Sequence, residues 1–113
     1  MTTVEDLLAL LDSAPESIEF NDVMRVIGDN YSFTPTAFTC GEAVNEIGTN
    51  EGSCKILAFG LKNNLTPQQT MALFGRFYRE DVLGNPDGAD HANIRNFIVA
   101  GWNGVKFENN PLT

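Results

Sequence analysis

The sequence holds one histidine, one tryptophan, two cysteines and seven basic residues against fifteen acidic ones in 113 positions. Each scarcity removes a class of protein. Cys40 and Cys54 form no Cys-x-x-Cys or Cys/His zinc spacing. A chain that is 42% apolar can also build a core without a disulfide, so both are expected to be free thiols. No apolar run approaches the roughly 18 residues of a membrane helix. The N-terminus lacks the basic-then-apolar order of a signal peptide, which leads us to expect a chain made, and retained at least initially, in the cytoplasm. Basic residues are too few and scattered to form the patch that nucleic acid requires, so neither nucleic acid nor membrane is expected as a partner. Gly101 and Gly104 lack the strand-then-helix setting of a phosphate loop, and no serine nucleophile elbow is present. Nothing implies a cofactor, and nothing sets the oligomeric state.

The acids are unevenly placed. Residues 1–54 hold ten of the fifteen, with Arg25 as the sole base. Such a half is an acidic solvent face that would favour a basic partner surface or a cation.

The densest apolar stretch runs from Cys54 to Leu83, and we expect the fold to be organised around it. Ile56, Leu57, Ala58, Phe59 and Leu61 predict one helix. Thr66-Pro67-Gln68-Gln69 opens the next with a capping box and a proline at the first turn. Met71, Phe74 and Tyr78, widened by Leu73 and Phe77, give that helix its apolar stripe. Upstream, Thr2 or Thr3 caps a helix with Leu7, Leu8, Leu10 and Leu11 on its buried side, limited by Pro15. Another starts after Asn21, carries Val23, Met24, Val26 and Ile27, and stops at Gly28-Asp29-Asn30, with Phe20 placed as a hydrophobic staple.

Tyr31 to Thr39 alternates aromatic and small polar residues around Pro35, which suits extended chain. Residues 40–52 are rich in glycine and loop-like, and Val44 to Ile47 reads equally as a helical turn or a strand. Leu83-Gly84-Asn85-Pro86-Asp87-Gly88 is a stop and a turn. Asp90 then caps a fifth helix from His91 to about Ala100, with Ile94, Phe97 and Ile98 buried and Gly101 as its left-handed terminator. Asn103-Gly104 is a hairpin signal leading into a strand near Val105, which could pair with Ala37 to Thr39. The fold class is mainly α: one domain over residues 1–113, with about five helices and a short β hairpin or strand pair.

With these pieces in order, the chain resembles the HopJ-type family of type III secretion effectors from about Pro15 to Thr113. The resemblance is carried by Phe33-Thr34-Pro35-Thr36-Ala37-Phe38-Thr39 with Gly41, and by Gly52-Ser53-Cys54-Lys55. It continues through Asp87-Gly88, Asp90-His91 and Asn93-Ile94-Arg95-Asn96-Phe97, then Gly101-Trp102 with Gly104-Val105-Lys106-Phe107. It implies a bacterial protein exported by a type III secretion system and no activity assignable to a residue.

Three constellations carry candidate chemistry. Asp87, Asp90 and His91 at a turn entering a helix offer three ligands for a hard or borderline divalent ion, with Glu42 or Glu46 to complete the shell. The same residues read as turn chemistry and a helix cap. Cys54 at a helix N-terminus, with His91 as base and Asp90 as orienter, would make a small cysteine or metal-assisted hydrolase. Cys54 reads equally as a small core side chain. Tyr31, Phe33, Phe38 and Trp102 with Arg95 and Lys106 would line a groove for a protein or small-molecule ligand, unless the aromatics complete the core. Binding is the leading functional expectation and hydrolysis the alternative.

Overall fold

The computed structural model describes residues 3–113; Thr2, one of the two expected caps, lies outside the described residues. Thr3 caps α1 (Val4–Ser13) by accepting a hydrogen bond from the Asp6 amide, with Glu5 and Asp6 favourably placed at the positive end of the helix dipole. Leu7 and Leu11 face the core. A 3₁₀ turn at Pro15–Ser17 leads into α2 (Phe20–Asn30), which buries Val23, Val26 and Ile27. This helix starts earlier than the sequence suggested. Glu19 occupies the cap position without a side-chain cap bond, and Phe20 is helical, its ring edge-on to Phe77 at 5.0 Å instead of stapling the entry.

The centre of the molecule is α3 (Glu51–Lys62), where Cys54 and every residue from Ile56 to Gly60 are buried. A tight turn with Asn64 at positive φ hands the chain to α4 (Pro67–Ala72). The expected capping box is present in full: Thr66 Oγ1 accepts from the Gln69 amide, and Gln69 Oε1 from the Thr66 amide.

The long helix expected beyond Thr66 is interrupted. α4 ends at Ala72, the chain turns at Gly75 with φ +61°, and a π-helical turn follows at Phe77–Val82. A Cβ on Gly75 would lie 2.8 Å from the backbone nitrogen of Phe20, so the break comes from a close backbone crossing between this turn and the start of α2. The apolar period survives on both sides: Met71, Leu73 and Phe74 are buried, whereas Phe77 is partly exposed.

α5 (Ala92–Ala100) is entered through His91, not through an Asp90 cap; His91 is left-handed at φ 51° and makes no side-chain cap bond. Asn93, Ile94 and Phe97 are buried, while Ile98, expected inside, is half exposed. Gly101 does close the helix at φ +61°, but with ψ −155° it lies in a region open essentially to glycine alone, not in the left-handed helical one.

Of Val44 to Ile47, left open between turn and strand, Val44 and Asn45 belong to a strand and Ile47 to the turn after it. The sheet is antiparallel in the order β2 (Ala43–Asn45), β1 (Phe38–Cys40), β3 (Val105–Phe107). The anticipated pairing of β3 with residues 37–39 is present, with Phe38 opposite Phe107 and Thr39 opposite Lys106. Asn103-Gly104 is not its hairpin; those residues belong to a 3₁₀ turn, Gly101–Gly104. The hairpin joins β1 to β2 around Gly41, which has φ +61°. One sheet face carries Phe38, Cys40 and Asn45 into the core and the other carries Thr39, Val44 and Lys106 outward.

Candidate functional site

The opening of most interest is a cleft of about 550 Å³ between Phe20, β2, the first turn of α3, the Phe74–Phe77 segment and the chain from Ala89 to Ile94. Its size falls within the range of ligand sites. Two left-handed residues, Asn50 and His91, stand immediately before α3 and α5 and both line it.

The polar side of the cleft is a set of three amides. Asn45 and Asn93 exchange both side-chain hydrogen bonds at 2.9 Å, and Asn50 Nδ2 donates to Asn45 Oδ1 at 2.7 Å. Asn45 and Asn93 are buried and Asn50 is exposed. Burying two amides is tolerable because each answers the other. The apolar side comes from Phe20, Phe74 and Phe77, with the ring of His91 5.2 Å from that of Phe77.

His91 Nε2 lies 3.0 Å from Asp81 Oδ2 and 3.9 Å from Asp90 Oδ2. Asp90 is committed elsewhere, because its Oδ1 accepts from Arg95 Nη2 at 2.6 Å. That hydrogen bond, reinforced by the charges of Arg95 and His91, holds the Asp90 carboxyl below its ordinary value. Arg95 also donates to the carbonyls of Asp90, Asn85, Pro86 and Asp81. Five hydrogen bonds use the full donor capacity of a guanidinium, so Arg95 clamps the 81–90 loop and has no donor left for a ligand.

The expected metal set does not converge. Asp87 is exposed on the turn, and among the described residues no group of three or more His, Cys, Asp or Glu side chains is arranged to hold an ion. Nor is Cys54 hydrogen-bonded to His91 among the described residues. Ser53 reaches the cleft, while Cys54 is only 1% exposed. Burial, with a smaller contribution from Glu51, pushes the Cys54 thiol up to about 11, and burial does the same to Cys40, whose Sγ donates to the Asn93 carbonyl at 3.3 Å. At neutral pH both are protonated and enclosed. The dipole of α3 is outweighed by desolvation.

The proposed aromatic groove is dispersed. Tyr31 stands edge-on to Phe59, and its hydroxyl accepts from Asn63. Phe33 lies under the Lys55 ammonium. Trp102 packs edge-on to Phe97 at 4.8 Å and donates Nε1–H to the Leu65 carbonyl. Phe38 is buried against Phe107 and borders a separate shallow depression with Lys106. The cleft residues that sequence reasoning missed include Phe20, Asn45, Asn50, Phe74, Phe77 and Asn93, and it also missed Asp81, the partner of His91. Nothing in their spacing marks them.

The model of the HopJ type III effector protein family matches residues 4–112, and the chain belongs to that family. The match extends nearer the N-terminus than the resemblance read from the motifs. The chain is also similar to a solved crystal structure of the unknown function protein VPA0580. The two are 55% identical with a TM-score of 0.96, over 100% of this chain and 95% of that one. No curated protein matches. Among the described residues no helix is long and apolar enough to cross a membrane.

Proposed function

We propose that this HopJ family member acts by binding, with the cleft between β2, α3 and α5 as the ligand seat, and that it does so as a protein made in the cytoplasm and exported by a type III secretion system. The observation that carries the reading is the cleft itself. An aromatic wall of Phe20, Phe74 and Phe77 faces a hydrogen-bonded amide floor, the combination of apolar contact and fixed polar groups that orients a ligand. The cysteine hydrolase reading has no comparable support, because the thiol that would attack is enclosed and held protonated.

A fragment screen by amide chemical-shift mapping tests this. Shifts clustered on Asn45, Asn50, Ser53, Phe77 and His91, and weakened in Phe77→Ala, are expected. Hits scattered over the surface, or unaffected by Phe77→Ala, would remove the cleft as the seat. Loss of reporter export when the type III apparatus is deleted tests the second half of the reading.

A further inference from the structure

We propose that the free edge of β2 receives an extended, basic peptide segment as a fourth strand, with one of its apolar side chains seated in the cleft. This rests on the cleft being a ligand seat and names the chemistry of the occupant.

The ladder fixes which backbone groups are free. The Gly41 amide donates to the Gly104 carbonyl and the Glu108 amide to the Ala37 carbonyl, so the odd-numbered residues of the β1 segment bond toward β3. The even-numbered residues, Phe38 and Cys40, bond toward their partners Asn45 and Ala43 on β2. Val44, opposite Thr39, therefore turns its N–H and C=O away from β1, toward the open edge that borders the cleft.

Open edges are ordinarily blunted by shortness, charged side chains, proline, a bulge or a covering segment. This one is three residues long and flanked by Glu42 and Glu46, but it has neither lysine nor proline: Val44 is 78% exposed, and Ile47 just beyond is 66% exposed. An arriving strand would exchange two backbone hydrogen bonds with Val44 and place side chains alternately over Val44 and into the cleft.

The charge around the edge selects the occupant. Glu42 and Glu46 are exposed two positions on either side of Val44, Glu51 opens α3, and Asp81 stands beside His91 near the far wall. Arg95 on that wall is paired with Asp90, so the two add no net charge, and Lys106 lies on the opposite edge strand. A second copy of this chain would bring Glu42 and Glu46 against their own equivalents, which disfavours edge-to-edge dimers and favours a basic strand.

The test is selection from a random-peptide library displayed on phage, followed by affinity measurements on the synthesised winner. Enriched peptides should alternate apolar and basic residues, and the Val44 amide should exchange with solvent more slowly in the complex. Kd should rise about tenfold in Val44→Pro, which removes the edge donor. It should rise about tenfold in the double variant Glu42→Lys, Glu46→Lys, whose exposed positions leave the backbone untouched should the proline variant fail to fold. No enriched peptide, a helical or acidic winner, self-association of the chain through β2, or indifference to both variants would overturn strand addition. A winner weakened by Phe77→Ala but by neither edge variant would leave the cleft as the seat and remove the strand, so the two readings fail separately.

Discussion

Asn45 and Asn93, 48 positions apart, each donate to the other's side-chain oxygen at 2.9 Å and so join the end of β2 to the first turn of α5. Asn45 keeps a donor from Asn50 and a bond to the Phe38 carbonyl, whereas the Asn93 side chain bonds to Asn45 alone, so cutting Asn45 strands Asn93 in a buried site. Asn45→Ala should therefore destabilise the fold by about 1–3 kcal/mol, the cost of an unanswered buried amide. Urea unfolding measures this. The double variant Asn45→Ala, Asn93→Ala should lose less than the sum of the two single variants, as expected for groups that depend on each other.

The ion pair of Arg95 with Asp90 should be visible in a carboxyl titration. Asp90 should titrate below its ordinary 3.8 in the native protein and return upward in Arg95→Gln. A carboxyl with a depressed native value favours the fold above the unfolded value and loses that contribution as pH falls through the native one. The stability gap between the native chain and Arg95→Gln should accordingly narrow in acid below about pH 4. Carboxyl-carbon NMR with parallel unfolding curves checks both halves.

Cys40 and Cys54 should resist alkylation at neutral pH until the protein unfolds, read by mass spectrometry of the peptides. Their native values are raised from an ordinary 9.0 to about 11, so the fold favours the neutral thiols. That contribution is complete below pH 9 and is lost as pH rises towards 11. Alkaline unfolding should thus become shallower when both cysteines are replaced by alanine.

Gly75→Ala should lower the melting temperature, with a loss of about 1–3 kcal/mol from a left-handed alanine and more from the approach to Phe20. A thermal melt by circular dichroism gives the value. Gly28→Ala makes the control, because Gly28 sits in α2 with nothing near its absent Cβ.

Periodic burial made much of the fold legible. Leu7 and Leu11, the Ile56–Phe59 run and the Ile94–Phe97 pair announced their helices, although Leu61, expected in the same run, is exposed; Thr66 with Gln69 gave a cap in full detail. The pairing of the strand near Val105 with residues 37–39 was anticipated, but its register, with Phe38 opposite Phe107, was not. The break at Gly75 was hidden because it depends on the Phe20 backbone, 55 positions away, while the apolar period on each side stays helical. Asp90 looked like a cap because the residue type suits one; Arg95 draws it off, and His91 takes the position instead. The cleft was illegible for a related reason. Its amides and rings arrive from five separate segments, and no local pattern reports their meeting.

The π-helical turn has a further consequence. Its Leu83 amide reaches back five residues to the Tyr78 carbonyl at 3.0 Å, where an α-helix would reach back four. The wide turn thus accommodates a residue that a regular helix would not. Removing a single residue between Phe77 and Val82 should tighten the coil to α geometry while rotating Asp81 out of reach of His91. Among homologues, chain length in that one turn becomes a marker for whether the histidine keeps its acidic neighbour, readable without any structure.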